Sequence, residues 1–320
     1  MLQTMSHPAA AGVDAGKLFL DVAFAPKTST FRVANSPEGI RTILQRLKKA
    51  GITCVVLEAI GVYAAPLVRA LAAKNLTLGI VNPRRIKAFR DAEGKRAKTD
   101  RLDAALIARF ALAMTDAIRP LPSAQQLDLK ALSTRRRQLV EMTAMEKTRL
   151  KQAPDDTIAD SHRQIIKLLT QQRKDIEAKI DTLLSKDEDL SRRRELYKTI
   201  PGIANQIATV LTTEMPELGT LDSKAAASLA GLAPHIQQSG MSQGRAQIGG
   251  GRPCVRAAFY MAALSAVRAN KDFKATYENM RAKGKPAKVA LVAVARKLVT
   301  IANALAKTNT PFANIPNEHA

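Results

Sequence analysis

Apolar residues change their period several times along the 320-residue chain. Gly12-Val13-Asp14 enters an apolar strand, Ala15-Gly16-Lys17 turns, and Leu18 to Phe24 returns, so residues 11–24 read as a hairpin. Another strand is expected at residues 30–33. Ser36-Pro37-Glu38 sets a capping hydroxyl before a first-turn proline, and Ile40, Ile43, Leu44 and Leu47 follow at helical spacing. Thr53 to Leu57 reads as a buried strand, Tyr63 to Lys74 as a helix, Leu76 to Val81 as a strand, and the chain after Asn82-Pro83 as a helix. The order βββαβαβα is that of an α/β layered domain.

From Gln125 to Arg194 the pattern turns helical and highly charged, with Leu127, Leu132, Leu139, Ile165, Leu168, Leu169, Ile176, Ile180 and Leu183 as its apolar positions. A break at Ala153-Pro154-Asp155-Asp156 predicts two long antiparallel helices, a coiled-coil-like insertion. Its Arg135-Arg136-Arg137 and Arg192-Arg193-Arg194 triplets suit gripping nucleic acid or simple solvation, and the hairpin suits dimerisation or spacing equally well. Ile200-Pro201-Gly202-Ile203 then forms a tight turn between apolar helices. It is similar to a helix-hairpin-helix module, whose glycine turn lets backbone N–H groups approach phosphate regardless of base sequence. A short helix at Ser223–Ala230 precedes a long glycine- and serine-rich stretch over residues 231–253, of the kind that is functional or disordered when it interrupts a compact domain. Beyond Asn270 the chain returns to helices, with Val289, Leu291, Val292, Val294, Leu298, Ile301 and Leu305 at helical spacing, then a tail.

Charge narrows the partner. Fifty Lys+Arg against 28 Asp+Glu give a net charge of +22, a surface that draws polyanions and releases their counterions. Nucleic acid is expected rather than a membrane, because no apolar run approaches the ~20 residues of a spanning helix and no signal-peptide pattern is present; a cytoplasmic, nucleoid-associated protein follows. Cys54 and Cys254 lie in apolar stretches without metal spacing and are expected buried and reduced. Aromatics make up 4% with no Trp, which favours phosphate contact over base stacking.

Against that basic background, Asp14, Glu58, Asp100 and Asp103 are the candidate cation ligands, since carboxylates in a phosphate-seeking protein suit divalent metal. Asp100 and Asp103, three apart at a helix start, share one face. Arg84, Arg85, Lys87, Arg90, Lys95, Arg96, Lys98 and Arg101 lead into them, and read as a phosphate-facing loop or a solvated connector. In the glycine-rich stretch, Ser239 and Ser242 are candidate nucleophiles, with Arg245 and Arg252 to neutralise phosphate. Neither belongs to a Ser-His-Asp set, and His235 reads as a surface residue.

Gly-Val-Asp-Ala-Gly-Lys (12–17), Leu-Glu-Ala-Ile-Gly-Val-Tyr (57–63), Val-Asn-Pro (81–83), Lys-Thr-Asp-Arg-Leu-Asp-Ala (98–104), Pro-Gly-Ile (201–203) and Gly-Leu-Ala-Pro followed by Ser239-Gly240 resemble, in order, the DEDD transposases of bacterial insertion sequences, a family that includes the Piv-type DNA invertases. The resemblance spans residues 11–270. The block at 98–104 is its most specific part. Departures are Gly16 where serine is common, Ile60 where threonine is common, and Gly249-Gly250-Gly251-Arg252 in place of a lysine-containing stretch.

The resemblance implies a ribonuclease-H-like (RuvC-like) α/β domain at residues 8–120 whose Asp14, Glu58, Asp100 and Asp103 bind Mg²⁺ or Mn²⁺. A helical coiled-coil hairpin is expected at 121–195, a mainly α C-terminal domain with the helix-hairpin-helix-like element and the serine at 196–310, and a flexible tail at 311–320. By its place before a glycine, Ser239 maps to the family's nucleophile. Further implied are double-stranded DNA, a structured noncoding guide RNA and a homo-oligomer. Arg84, Arg85, Lys87, Arg96, Lys98, Arg101, Gly202, Arg245 and Arg252 are the expected nucleic-acid contacts. A hydrolytic metal-dependent junction nuclease and a non-enzymatic architectural protein are the alternatives.

Overall fold

The computed structural model describes residues 9–27, 29–58, 61, 63–74, 76–94, 100–115, 119–120, 123–235, 238–239, 242–243 and 247–314. The chain divides into two compact units, Met1–Ala124 and Gln125–Ala320.

The first unit runs β1 (Ala10–Ala15), β2 (Phe19–Ala25), β3 (Ser29–Ala34), α1 (Pro37–Lys49), β4 (Cys54–Leu57), α2 (Ala65–Ala72), β5 (Thr77–Ile80), α3 (Pro83–Ala92), α4 (Asp100–Ala113) and β6 (Arg119–Pro120). The predicted order appears, followed by α4, the helix expected to start at Asp100, and by a short closing strand. The sheet order is β3-β2-β1-β4-β5-β6. Strands β1 to β3 are antiparallel neighbours, β1, β4 and β5 are parallel, and two-residue β6 is antiparallel to β5. This mixed α/β sheet is consistent with a ribonuclease-H-like domain. Local chemistry sets the boundaries: Ser36 Oγ accepts from Gly39 N at 3.2 Å ahead of α1, and Asn82 Oδ1 accepts from Arg84 N at 2.9 Å ahead of α3.

Helix α4 lies directly on β1. A Cβ on Gly12 would come within 2.3 Å of Ala104 O and Ala108 N, so only glycine admits this approach. Ala10, at the start of β1, clusters with Ile107, Phe110 and Ala111 from the later turns of α4. The helix therefore runs against the strand, and its first turn lies toward the C-terminal end of β1. Phe89 of α3 meets Phe110 edge-on, ring centroids 5.3 Å apart, and seats α3 on α4.

The second unit contains α5 (Ala124–Leu150), α6 (Asp156–Ser185), α7 (Glu188–Lys198), α8 (Asn205–Glu214), α9 (Ser223–Leu229), α10 (Pro253–Ala269), α11 (Lys271–Ala282) and α12 (Ala287–Thr308). Helices α5 and α6 pair antiparallel. Gln125 Nε2 donates to Leu183 O at one end, Arg136 binds Glu177 midway, and Glu146 meets His162 near the turn. Leu129 of α5 with Ile180 and Leu184 of α6 form their apolar seam, closed at its end by Leu190 of α7. The second arm is not continuous to Arg194 as the periodicity suggests: it stops at Lys186, and Asp187 caps α7 through Leu190 N.

Among the described residues of 231–253, two short strand pairs form that their glycine and serine content does not predict. Strand β7 (Pro234–His235) pairs with β10 (Gln247–Ile248), and inside that pair β8 (Gln238–Ser239) meets β9 (Ser242–Gln243). Backbone ladders form here with Ile248 as the one β-branched residue among the four strands. Helix α12 corrects another expectation, since it is long and apolar enough by composition to span a membrane, with a mean hydropathy of 1.7 over its best window. Its Val294, Leu298, Ile301 and Leu305 are buried in the core of this unit against Phe259 and Tyr197, which accounts for that character. Cys54 is buried and Cys254 half-buried, both free; burial pushes the Cys54 thiol up to about 11.

Candidate active site

Strands β1 and β4 run parallel with Val13 beside Leu57, so the next residues, Asp14 still within β1 and Glu58 just past the end of β4, stand at the same end of the sheet. Alternation along β1 puts Asp14 on the face of Gly12, the face that α4 covers. Val56, two residues before Glu58, packs with Leu106 and Ile107 of α4. Both carboxylate residues are half-buried. Asn35 Nδ2 donates to Gly16 O and Tyr63 O, each at 2.9 Å, and so ties the turn after β1 to the loop after β4.

Asp100 opens α4 and Asp103 sits one turn later, at the end of the helix nearest Asp14 by the antiparallel packing just described. The Asp103 side chain is only 7% exposed, and Arg90 Nη2 donates to its Oδ1 at 2.5 Å. Its pairing with Arg90 was not visible in the sequence, where Arg90 is one of many basic residues. The Asp100 side chain lies outside the described ones. Among the described residues no three His, Cys, Asp or Glu side chains converge closely enough to enclose an ion. As donors, carboxylate oxygens at one end of one sheet face suit a hard divalent cation.

A further acid, Asp21, is missing from the sequence-derived set. It stands on β2 directly opposite Asp14, is 3% exposed, and is held by Arg32 of β3, whose Nε reaches Oδ1 at 3.0 Å and whose Nη2 reaches Oδ2 at 2.8 Å. A charged residue within an otherwise apolar strand was the available signal. With Ala15-Gly16-Lys17 as the turn, Leu18 would return beside Asp14; the observed register pairs Ala15 with Leu20 and so sets Asp21 there instead.

The basic run divides. Arg84, Arg85 and Lys87 are exposed on the first turns of α3, the helix expected after Asn82-Pro83, which Asn82 caps and Pro83 starts, so this part of the basic run is helix and not loop. Arg96 and Lys98 lie outside the described residues, as does the side chain of Arg101. Glu93 and Arg109 add a bidentate link from the end of α3 to α4, at 3.1 and 2.8 Å.

In the second unit, Ser239 and Ser242 are paired across β8 and β9, so the two candidate nucleophiles are cross-strand neighbours. Their side chains, and all of Arg245, lie outside the described set. Arg252 precedes α10 and donates to Glu214 O at 2.6 Å while both its terminal nitrogens bind the Glu217 carboxylate. It anchors the base of the serine segment. Gly202 has φ +88°, and a Cβ there would stand 2.4 Å from Ala262 O, so packing of the Pro201-Gly202 turn on α10 by itself demands glycine.

Residues 11–159 match the DEDD transposase family of IS110 type, and residues 194–278 match the transposase IS116/IS110/IS902 family. The pilin gene-inverting protein of Moraxella bovis is 30% identical over 269 residues, 81% of this chain and 81% of that protein; its Moraxella lacunata counterpart aligns with the same identity and coverage. The insertion element IS110 uncharacterized 43.6 kDa protein of Streptomyces coelicolor is 28% identical over 158 residues, 48% of this chain and 38% of that protein. The chain belongs to the IS110 family of DNA transposases and recombinases.

Proposed function

We propose that this transposase cuts and exchanges DNA strands with a divalent-metal site formed by Asp14, Glu58, Asp100 and Asp103 and with Ser239 as nucleophile. The observation that supports the reading is that Asp14, near the end of β1, and Glu58, the residue after β4, follow the paired Val13 and Leu57 on adjacent parallel strands, at the end of β1 toward which α4 begins. Bound Mg²⁺ or Mn²⁺ would stabilise negative charge on the attacking and leaving oxygens. The chain's own part is to hold the four carboxylates at one end of the central strands and to bring phosphate to them through Arg84, Arg85, Lys87, Arg96, Lys98 and Arg101. The Ser239 Oγ attacks phosphorus as its proton is lost; the O–P bond to one deoxyribose breaks, and that strand leaves as a hydroxyl. Attack by the hydroxyl of an exchanged strand on the phosphoserine reverses these steps, restores the serine and needs no ligase. Ser242, its cross-strand partner, is the alternative nucleophile.

The finer organisation follows the same reading: a catalytic domain at 8–120, a coiled-coil hairpin at 121–195 that serves homo-oligomer assembly, a C-terminal domain at 196–310, and a flexible tail at 311–320. The α7–turn–α8 corner acts as a helix-hairpin-helix-like phosphate contact at Gly202, and Arg245 supports phosphate in the serine segment. Sequence choice comes from a structured noncoding RNA paired to the DNA, since a basic, aromatic-poor protein has little means to read bases. The protein works in the cytoplasm at the nucleoid. Incubation with the DNA ends flanking its own gene, Mg²⁺ and transcribed flanking RNA tests the reading. Cleavage should need metal and RNA and be lost in Asp14→Asn and Glu58→Gln with DNA binding retained. Cleavage that survives both substitutions overturns it.

A further inference from the structure

Asp21 is a costly residue for its position. It is 3% exposed, lies in the middle of three antiparallel strands, and stands opposite Asp14, an arrangement in which two like charges repel. The next positions of β2 on the same face, Ala23 and Ala25, are small apolar residues packed on Ala104, Ala105 and Ala108 of α4. Packing alone would accept an alanine at 21 as well. The register instead continues the row outward, Asp14 beside Asp21 and Asp21 beside Arg32. Arg32 takes Asp21 with its Nε and Nη2, and its guanidinium lies over the Phe19 ring at 5.2 Å, on the side of Asp21 away from Asp14.

We infer that Asp21 and Arg32 are positioning residues of the carboxylate site: a paired charge that keeps a fifth carboxylate out of the ligand set and fixes the potential that a cation at Asp14 meets. The inference rests on the reading of Asp14 as a metal ligand. Its content is a matter of sign. Removing the arginine charge leaves Asp21 uncompensated beside Asp14 and draws a divalent cation more strongly. Removing the aspartate charge leaves a cation there and repels it. Removing both restores the balance. A purely structural ion pair has no such opposed effects, because either single change costs stability in the same direction.

The test is Mn²⁺ titration of the full chain without DNA, read by electron paramagnetic resonance, with thermal unfolding as a check on folding. Arg32→Gln should tighten Mn²⁺ binding and Asp21→Asn weaken it, each by about three- to tenfold for a unit charge near the site in partly screened surroundings. The double variant should bind within about twofold of wild type, and Arg32→Lys should leave affinity unchanged. Asp21→Asn and Arg32→Gln shifting affinity in the same direction, or neither shifting it, overturns the inference. Asp14→Asn separates the two levels: if it leaves Mn²⁺ affinity unaltered, the metal reading itself fails. Should Arg32→Gln not fold, Asp21→Asn against the charge-balanced double variant carries the same decision.

Discussion

Arg90 and Asp103 form a largely buried ion pair between α3 and α4, with the arginine side chain 16% and the aspartate side chain 7% exposed. It joins the helix that bears Arg84, Arg85 and Lys87 to the helix that bears Asp100 and Asp103. Replacing Arg90 by methionine keeps the aliphatic stem and strands the carboxylate, a loss of about 3 kcal/mol in chemical denaturation of the first unit. Because a divalent cation can serve the same carboxylate, Mn²⁺ should restore part of that stability in Arg90→Met and add less to wild type. An equal metal effect in both proteins would separate Asp103 from the metal.

Gly12→Ala tests the seating of α4. The new methyl would meet two backbone atoms at 2.3 Å, and backbone yields only by moving the helix. A destabilisation of about 1–3 kcal/mol is expected, with strand cleavage reduced further than stability alone explains because Asp14 and Asp103 are separated. An unchanged denaturation midpoint would contradict the close approach.

The helical hairpin carries an acid-sensitive contact. The His162 hydrogen bond, foremost, and then Arg149 hold the Glu146 carboxyl below its ordinary value of 4.5, against the opposing effect of burial. A carboxylate with a lowered folded-state value contributes stability that is full above 4.5 and is lost as pH falls below it. Thermal melts across that range should show a steeper acid loss in wild type than in Glu146→Gln, which lacks the titrating group. Superimposable pH profiles would remove Glu146 from the account.

Arg84, Arg85 and Lys87 stand exposed on α3 and should contact phosphate without reading sequence. Each neutral substitution should reduce the slope of log affinity against log salt by about 1 and weaken binding alike on all sequences. A change confined to one DNA sequence would assign them to base recognition.

Much of the first unit was legible because its signals are local: the Gly-Lys turn of the first hairpin, Ser36 and Asn82 as caps, and apolar runs for β4 and β5. The four acids were legible as residue types in a basic chain, and the nearness of Asp14 and Glu58 follows from parallel register, which Val13 and Leu57 fix. What escaped depends on contacts distant in sequence. Arg90 was one cation among eight until α3 folded onto α4 through Phe89 and Phe110. Asp21 looked like a stray polar residue in an apolar strand until the hairpin set it beside Asp14. Arg252 read as a free phosphate ligand, yet Glu217, 35 residues earlier, holds it. The β7–β10 and β8–β9 pairs escaped because two-residue ladders rest on backbone bonds that glycine and serine do not announce.

The most direct measurement is a search for a covalent protein–DNA adduct on a denaturing gel, with wild type, Ser239→Ala and Ser242→Ala, in the presence of Mg²⁺ and the flanking RNA. The account predicts an adduct that requires Mg²⁺, disappears in Ser239→Ala and persists in Ser242→Ala. Strand cleavage that continues without any adduct, undiminished in Ser239→Ala, would contradict the serine mechanism and leave a hydrolytic nuclease that uses the carboxylates alone.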